Sequence, residues 1–578
     1  MKLKKLLCTI LSVLMLFTGI SVAGCGGPGI DIDETKTQVY IGNQNYGFGD
    51  AWLISAIDKF EKRYANTPFE DGKTGVQVLY ENGSDFTGLS LLQTIKGNDI
   101  DIYFSDGSTY YEYINSGAMM DITDIVTEPL TEFGETKSIA DKLINCFSTY
   151  LDTTYDFNTK THGAGKYYAL PNYECVYQVN YNVKYFEDNN LYYGLDGELG
   201  QNGSDRSQLS AGPDGEYGNY DDGQPATFEE FFALCEHITK IGGVPVTWPG
   251  GAASYRNVYV NQFKNSIERE ESELLANPVG KATRLIKVER EGSYSAMQFD
   301  ENGYPILEEL DLTYENGYNV YRQSGWYWAT KFFEEILENE YHNSGAIGGR
   351  THMDTQKDFI NSTLGTNQPI AILLEGNYWI NEAAPSFEYA HTNLGAPTRE
   401  ESKYGVMAFP KPTDQDAYQG PNSYSVGTNA LSFISAYTPE NRLGAAKKFL
   451  QFLFTDEMLF DYTKIVGATR GCEVNFTETQ LASLPYYART MIEYRNDAVV
   501  VGGSANTAFY KENPNITKWT DLPESYIKDG REIDAVLYLR NQTIQALKND
   551  DHAAIYFNGI QDGTNVKNWA STYSKYWS

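Results

Sequence analysis

From Thr37 to Asp106 the chain alternates short apolar runs with amphipathic ones, and this alternation most narrows the folds open to it. In TQVYIGNQNYG the apolar run Val39 to Ile41 reads as a strand, and GVQVLY (75–80) as another. Between them, DAWLISAIDKFEKRY places Leu53, Ile57, Phe60 and Tyr64 on one face at helical spacing. A second helix ends near Lys96, and DIDIYFSD (99–106) is a third strand. Strands separated by helices imply a parallel sheet with crossovers, an α/β architecture. Ligands of such sheets sit at the carboxyl ends of the strands. The loops 43–50 and 105–109 therefore belong to one potential site, with Tyr46, Asp50, Ser105 and Asp106 as its candidates.

The pattern continues. TFEEFFALCEHITKIGG carries a capping box, Thr227 with Glu230, and a Gly242–Gly243 stop. PVTWPGG sets Trp248 at a strand end. PIAILLEGNYW is an apolar strand ending in Glu375, Asn377, Tyr378 and Trp379. In NALSFISAYTPENRLGAAKKFLQFLF a strand is followed by a helix with Thr438 as cap and Pro439 in its first turn.

The N-terminus concerns the compartment. MKLKK is basic, Leu6–Ala23 is apolar, and Ala23 and Gly24 are small residues before Cys25. This reads as a secretory signal over 1–24; an uncleaved anchor, which needs about 20 apolar residues, is the alternative. The junction is similar to a bacterial lipobox. That similarity implies a lipidated (palmitate-bearing) Cys25, a flexible tether over 25–35, and residence on the extracellular face of the cytoplasmic membrane. The net charge of −32 excludes nucleic acid as a partner, since no basic stripe faces phosphates. Cys146, Cys175, Cys235 and Cys472 read as reduced, mostly buried thiols, with a Cys146–Cys175 bridge as the alternative. The six histidines are scattered, with no pair at metal-ligand spacing. No G-x-S-x-G elbow, P-loop or H-E-x-x-H appears.

The segment GKYYALPNYECVYQVNYN resembles a G-K-x-Y-x-[LI]-P…Y-N pattern. ATFEEFFALCEHIT, AILLEGNYW and YGVMAFPKP resemble further segments of the same family in the same order. The family is the extracellular solute-binding proteins of family 1, the maltose-binding-protein-like lipoprotein receptors of carbohydrate ABC transporters. The resemblance spreads over about 400 residues. It implies a two-lobe, periplasmic-binding-protein-like fold of type II, each lobe a mainly parallel sheet flanked by helices, with a hinge between. On this reading residues 36–165 with 422–470 form the first lobe. Residues 166–421 with 471–578 form the second, the C-terminal Trp569, Tyr573, Tyr576 and Trp577 packing on it. The chain departs from the family by SDGS at 105–108, where an aromatic is common, and by extra sequence near 190–225 and 264–320.

Sugar binding needs flat aromatic faces for pyranose rings and charged acceptors for hydroxyls. The 45 tyrosines suit such a ligand. The acceptor candidates are Asp106 and Glu375, then Asp50 and Glu174. The stacking candidates are Trp248, Tyr255, Tyr378 and Trp379, then Tyr46 and Tyr173. The family pattern implies that Asn172 and Tyr173 lie close to the cleft; Asn377 is a further candidate at its strand end, and Arg470, in GATRGC, is a candidate to reach the cleft. The expected partners are a carbohydrate, ABC permease subunits and the membrane through the lipid; the chain is expected to be a monomer without a cofactor for activity. In the extra segment, GPDGEYGNYDDG (212–223) crowds Asp214, Glu216, Asp221 and Asp222 among glycines, with Asp196 and Glu198 nearby. Calcium takes six to eight hard oxygens on such loops, so a structural calcium ion is expected there, although the EF-hand spacing fails. The rival readings are a secreted glycoside hydrolase, which needs two carboxylates about 5 to 10 Å apart, and a surface carbohydrate-capture protein without a transporter.

Overall fold

The structure is a computed structural model that describes residues 32–502, apart from 107–109, 152–154, 157–160, 163–164, 251–261, 271–279, 292–293, 299, 303, 313–322, 348, 365–366, 413–421 and 429. The signal segment, Cys25, Tyr255 and the C-terminal aromatics lie outside these residues.

Two sheets organise the described chain. The first runs in the order Val76–Asn82, Thr37–Asn43, Ile102–Asp106, Ala430–Ile434, Leu170–Pro171. Its first three strands are parallel, as the alternation requires. Ala430–Ile434 returns antiparallel to Ile102–Asp106, and Leu170–Pro171 pairs antiparallel to it in turn. Ala430–Ile434 enters the sheet from the other lobe by a direct crossing, with no helix to reverse it, and Leu170–Pro171 leaves the sheet directly into the first crossing. The helix Ala51–Arg63 sinks Trp52, Leu53, Ala56 and Phe60 into the core over this sheet. Phe60 meets Phe449 edge-on, at a centroid distance of 5.0 Å. Phe449 comes from the helix Glu440–Phe452. Pro439, not Thr438, holds the N-cap position of that helix; the Thr438 hydroxyl instead donates to the Asp101 carbonyl at 3.3 Å.

The second sheet has the order Val244–Thr247, Ile370–Gly376, Tyr177–Asn182, Tyr404–Met407. Only the first pair is parallel. Strand alternation sends Val179, Tyr181, Ile372 and Leu374 to one face, under Phe231, Leu234 and Phe332. Leu373, Tyr404 and Val406 face the other way, under Phe359, Trp379 and Tyr487. The helix Phe228–Lys240 begins with the expected capping box of Thr227 and Glu230.

Three crossings join the sheets. On the first, Asn172 N–H donates to the Ala430 carbonyl at 2.9 Å and Glu174 N–H to the Thr469 carbonyl at 2.9 Å. On the second, Gly427 N–H donates to the Cys175 carbonyl at 2.9 Å. The third, at 469–472, is pinned by Glu174. Its carboxylate accepts from Gly471 N–H at 2.9 Å and from both arms of Arg495, at 2.8 and 2.9 Å. Both side chains are buried, so the pair is desolvated and geometrically specific. Gly471 has φ +72°, and a Cβ there would lie 2.7 Å from the Phe147 ring and 2.8 Å from Pro171. Only glycine fits that crossing. Ser423–Val426 pairs with Val499–Gly502 outside both main sheets, and Tyr424 and Val426 pack with second-lobe side chains. The four described cysteines are free thiols, so the alternative Cys146–Cys175 bridge does not form. Among the described residues no helix is long and apolar enough to cross a membrane.

Candidate functional site

The loop after the first strand closes onto the second lobe. Gln44 N–H donates to the Phe104 carbonyl at 2.9 Å, and its side-chain carbonyl accepts from Asp106 N–H at 3.1 Å. Gln44 thereby ties the two strand ends that the sequence placed in one site. Tyr46 follows, 45% exposed. Its hydroxyl shares a hydrogen bond with the Asp106 carboxylate, and burial together with that negative charge pushes the phenol up to about 12. Two residues on, Phe48 is buried against Tyr173 of the first crossing, 4.4 Å between ring centroids, and against Tyr378 of the second lobe at 5.8 Å. Gly47 has φ +76°, and a Cβ there would meet the Tyr378 ring at 2.9 Å. The positive φ and the absent side chain let the two lobes touch.

The second lobe contributes Tyr378, which also packs edge-on to Tyr177 with centroids 6.0 Å apart. Its hydroxyl donates to Glu375 Oε1 at 3.2 Å, as does Gly376 N–H at 2.9 Å. Glu375 itself is fully buried behind this ring, and desolvation pushes its carboxyl up to about 8, with Glu382 adding repulsion. Cys175 sits between the lobes. Burial raises its thiol well above the ordinary range, and the carboxyl groups of both Asp106 and Glu375 add to the shift. The strand ends of the two sheets thus converge on one crossing segment.

Other sequence candidates go elsewhere. Trp379 is fully buried, donates to Asn180 Oδ1 through its indole at 3.1 Å, and packs edge-on against Phe359, Tyr404 and Tyr487 and at a tilt against Phe387. Trp248 is equally buried, edge-on to Phe333. Both are core residues, because the chain turns at the strand end and points these indoles back under the sheet. The Asn377 amide is consumed by the first crossing: it donates to the Glu174 carbonyl at 2.8 Å and accepts from Val176 N–H at 3.2 Å. Glu174 is the hinge partner of Arg495 rather than a ligand acceptor. The Ser105 hydroxyl donates to the Phe86 carbonyl at 2.6 Å and is buried. Asp50 Oδ2 accepts from Tyr80 at 3.1 Å and Asn82 at 3.0 Å, on the first-lobe rim. Arg470 is sealed inside the first lobe, its guanidinium 4.1 Å from both the Trp52 and Tyr462 ring centroids. Nη1 reaches Asn172 Oδ1 at 3.4 Å, and desolvation lowers its pKa to about 10. Cation–π faces stand in for a counter-ion.

In the acidic loop the carboxylates hold their own backbone. Asp222 accepts twice from Gly218 N–H, at 3.0 and 3.1 Å, Asp214 accepts from Glu216 N–H at 2.7 Å, and Asp221 accepts from Asp214 N–H at 3.1 Å. Asp221 is fully buried, and desolvation with Asp214 beside it raises its carboxyl to about 8. Among the described residues no three acid, histidine or cysteine side chains form a metal-binding group. Sequence reasoning missed Gln44, Phe48 and Cys175. Gln44 and Phe48 lie in the very loop it selected; Cys175 is near the middle of the first crossing.

No curated protein sequence matches the chain. Among solved structures, a chitin oligosaccharide binding protein is similar at 14% identity and a TM-score of 0.50, over 87% of this chain and 97% of that one. A raffinose-bound binding protein matches at 14% identity and a TM-score of 0.49, over 91% of this chain and all of that one (100%). A manno-oligosaccharide-specific binding protein from Bifidobacterium animalis subsp. lactis matches at 14% identity and 0.49, over 96% and 99%. At such identity the first of these speaks for the two-lobe fold alone. The sequence model described as "Bacterial extracellular solute-binding protein" matches residues 55–470, most of the chain, and the protein belongs to that family.

Proposed function

We propose that the protein is an extracellular receptor that captures a neutral carbohydrate, an oligosaccharide, between its lobes and delivers it to an ABC permease. The observation that carries this reading is the pairing of Tyr46 and Asp106. A half-exposed tyrosine is hydrogen-bonded to a carboxylate at the first-lobe strand ends, in the loop whose Phe48 packs on Tyr378 of the second lobe. Such a pair offers a stacking surface for a pyranose and a charged acceptor for its hydroxyls. The name of the chitin oligosaccharide binding protein supports the same ligand class. A ligand that touches both lobes favours the closed arrangement by its differential contacts, and the closed form docks on the permease. Lipid on Cys25 keeps the receptor at the membrane. No bond of the sugar is broken.

Calorimetric titration of the purified full chain against neutral oligosaccharides tests this reading. One-to-one saturable binding with the sugar recovered intact is expected. Shortened sugar would move the protein to the hydrolases, and silence across the panel would remove carbohydrate as the ligand class.

A further inference from the structure

Glu375 lies on the Ile370–Gly376 strand directly opposite Gln178 of the neighbouring strand. Gln356, from the helix His352–Asn361, reaches the same carboxyl. All three side chains are buried to within 1% of full enclosure. Their donors are committed elsewhere. Gln178 Nε2 serves Asn180 Oδ1 at 2.9 Å and the Tyr487 hydroxyl at 2.6 Å, and Gln356 Nε2 serves Glu382 Oε2 at 2.6 Å. What remains is Glu375 Oε2, Gln178 Oε1 and Gln356 Oε1, three buried acceptor oxygens without a hydrogen-bond partner among the described residues. Turning the Gln356 amide over does not repair this, because its oxygen would then face the Glu382 carboxylate. The titratable groups around Glu375 are Glu382, Cys175, Tyr378 and Tyr487, with His352 one contact further out, its Nε2 3.4 Å from Glu382 Oε1. One added proton turns Glu375 Oε2 into a donor for one of the two glutamine oxygens, beside a second carboxylate that repels a negative charge there.

We propose that Glu375 is a neutral carboxylic acid in the working protein: its proton, on Oε2, bonds a glutamine oxygen, while Oε1 accepts from the Tyr378 hydroxyl and Gly376 N–H. The second-lobe half of the cleft then carries no charge at this place, which suits an uncharged ligand. The raised carboxyl pKa of about 8 agrees with the geometry. The inference deepens the receptor reading and rests on it for the suitability of an uncharged ligand, but the proton itself does not depend on any ligand.

The measurement needs none. Infrared spectra of the full chain at pH 7 in an Asp221→Asn background, with and without Glu375→Gln, are subtracted. A protonated-carboxyl C=O band that Glu375→Gln abolishes is expected; a carboxylate band lost in its place overturns the proposal. Should Glu375→Gln fail to fold, the same acid band in the parent is followed with pH, and its loss near pH 8 supports the proposal while a spectrum unchanged from pH 6 to 9 overturns it.

Discussion

The two lobes treat the aromatic residues of their strand ends in opposite ways. The first lobe leaves Tyr46 half in solvent beside Asp106. The second lobe keeps Tyr378 at the seam but sinks its neighbour Trp379, and Trp248, fully into the core. Tyr378 and Trp379 are adjacent, yet one packs across the seam on Phe48 of the first lobe and the other fills a hydrophobic layer of the second. The residue type does not decide this; the turn into the helix after the strand does. The difference separates rings committed to packing from Tyr46, which is left half in solvent.

Trp379→Ala should break the stability side of this comparison with the largest effect, a loss of about 3–5 kcal/mol in urea unfolding. Tyr46→Ala should stay within about 0.5 kcal/mol of the parent in the same assay, while weakening the ligand about tenfold, or about 1.4 kcal/mol. Equal stability losses in the two variants would erase the distinction.

The hinge arginines sharpen it. Arg495→Met strands Glu174 as a buried unpaired charge and should cost about 3–5 kcal/mol. Arg470→Met strands no carboxylate and should cost less, within about 2 kcal/mol. Thermal unfolding of both reads the contrast; a larger loss at Arg470 contradicts the pairing described here.

The smallest effect per step is one of pH. Asp221 has a folded pKa raised to about 8 from the ordinary 3.8, so between those values the unfolded chain releases a proton that the folded chain keeps. Stability therefore falls as pH rises through that window, by at most about 1.4 kcal/mol per unit. Asp221→Asn should match the parent near pH 4 and unfold at higher temperature than it at pH 8. Identical melting at both pH values would mean that the loop carboxyl ionises normally.

The alternation of strands and helices made the first sheet and its carboxyl-end loops legible, and the Thr227–Glu230 capping box was read to the residue. The antiparallel returns were not, because direction is set by which crossing feeds a strand and not by its own residues. Asp106 and Tyr46 were chosen for their place at strand ends and do lie together. Trp248, Trp379 and Asn377 were chosen the same way and serve the core or the crossing. A period-2 pattern cannot tell a ring that leaves the sheet from one that folds back beneath it. Arg470 and Glu174 look alike in sequence, as charges near turns. Their roles follow from partners hundreds of positions away, Trp52 for one and Arg495 for the other.

The central claim is that the ligand lies between Tyr46 with Asp106 on one lobe and Tyr378 on the other. A crystal structure of the protein with the sugar that titration selects tests it most directly. The account predicts a pyranose face on the Tyr46 ring with a hydroxyl donating to the Asp106 carboxylate. Sugar density elsewhere, for example in the groove lined by Asn381, Arg399 and Val466, with Tyr46 and Asp106 untouched, would contradict it.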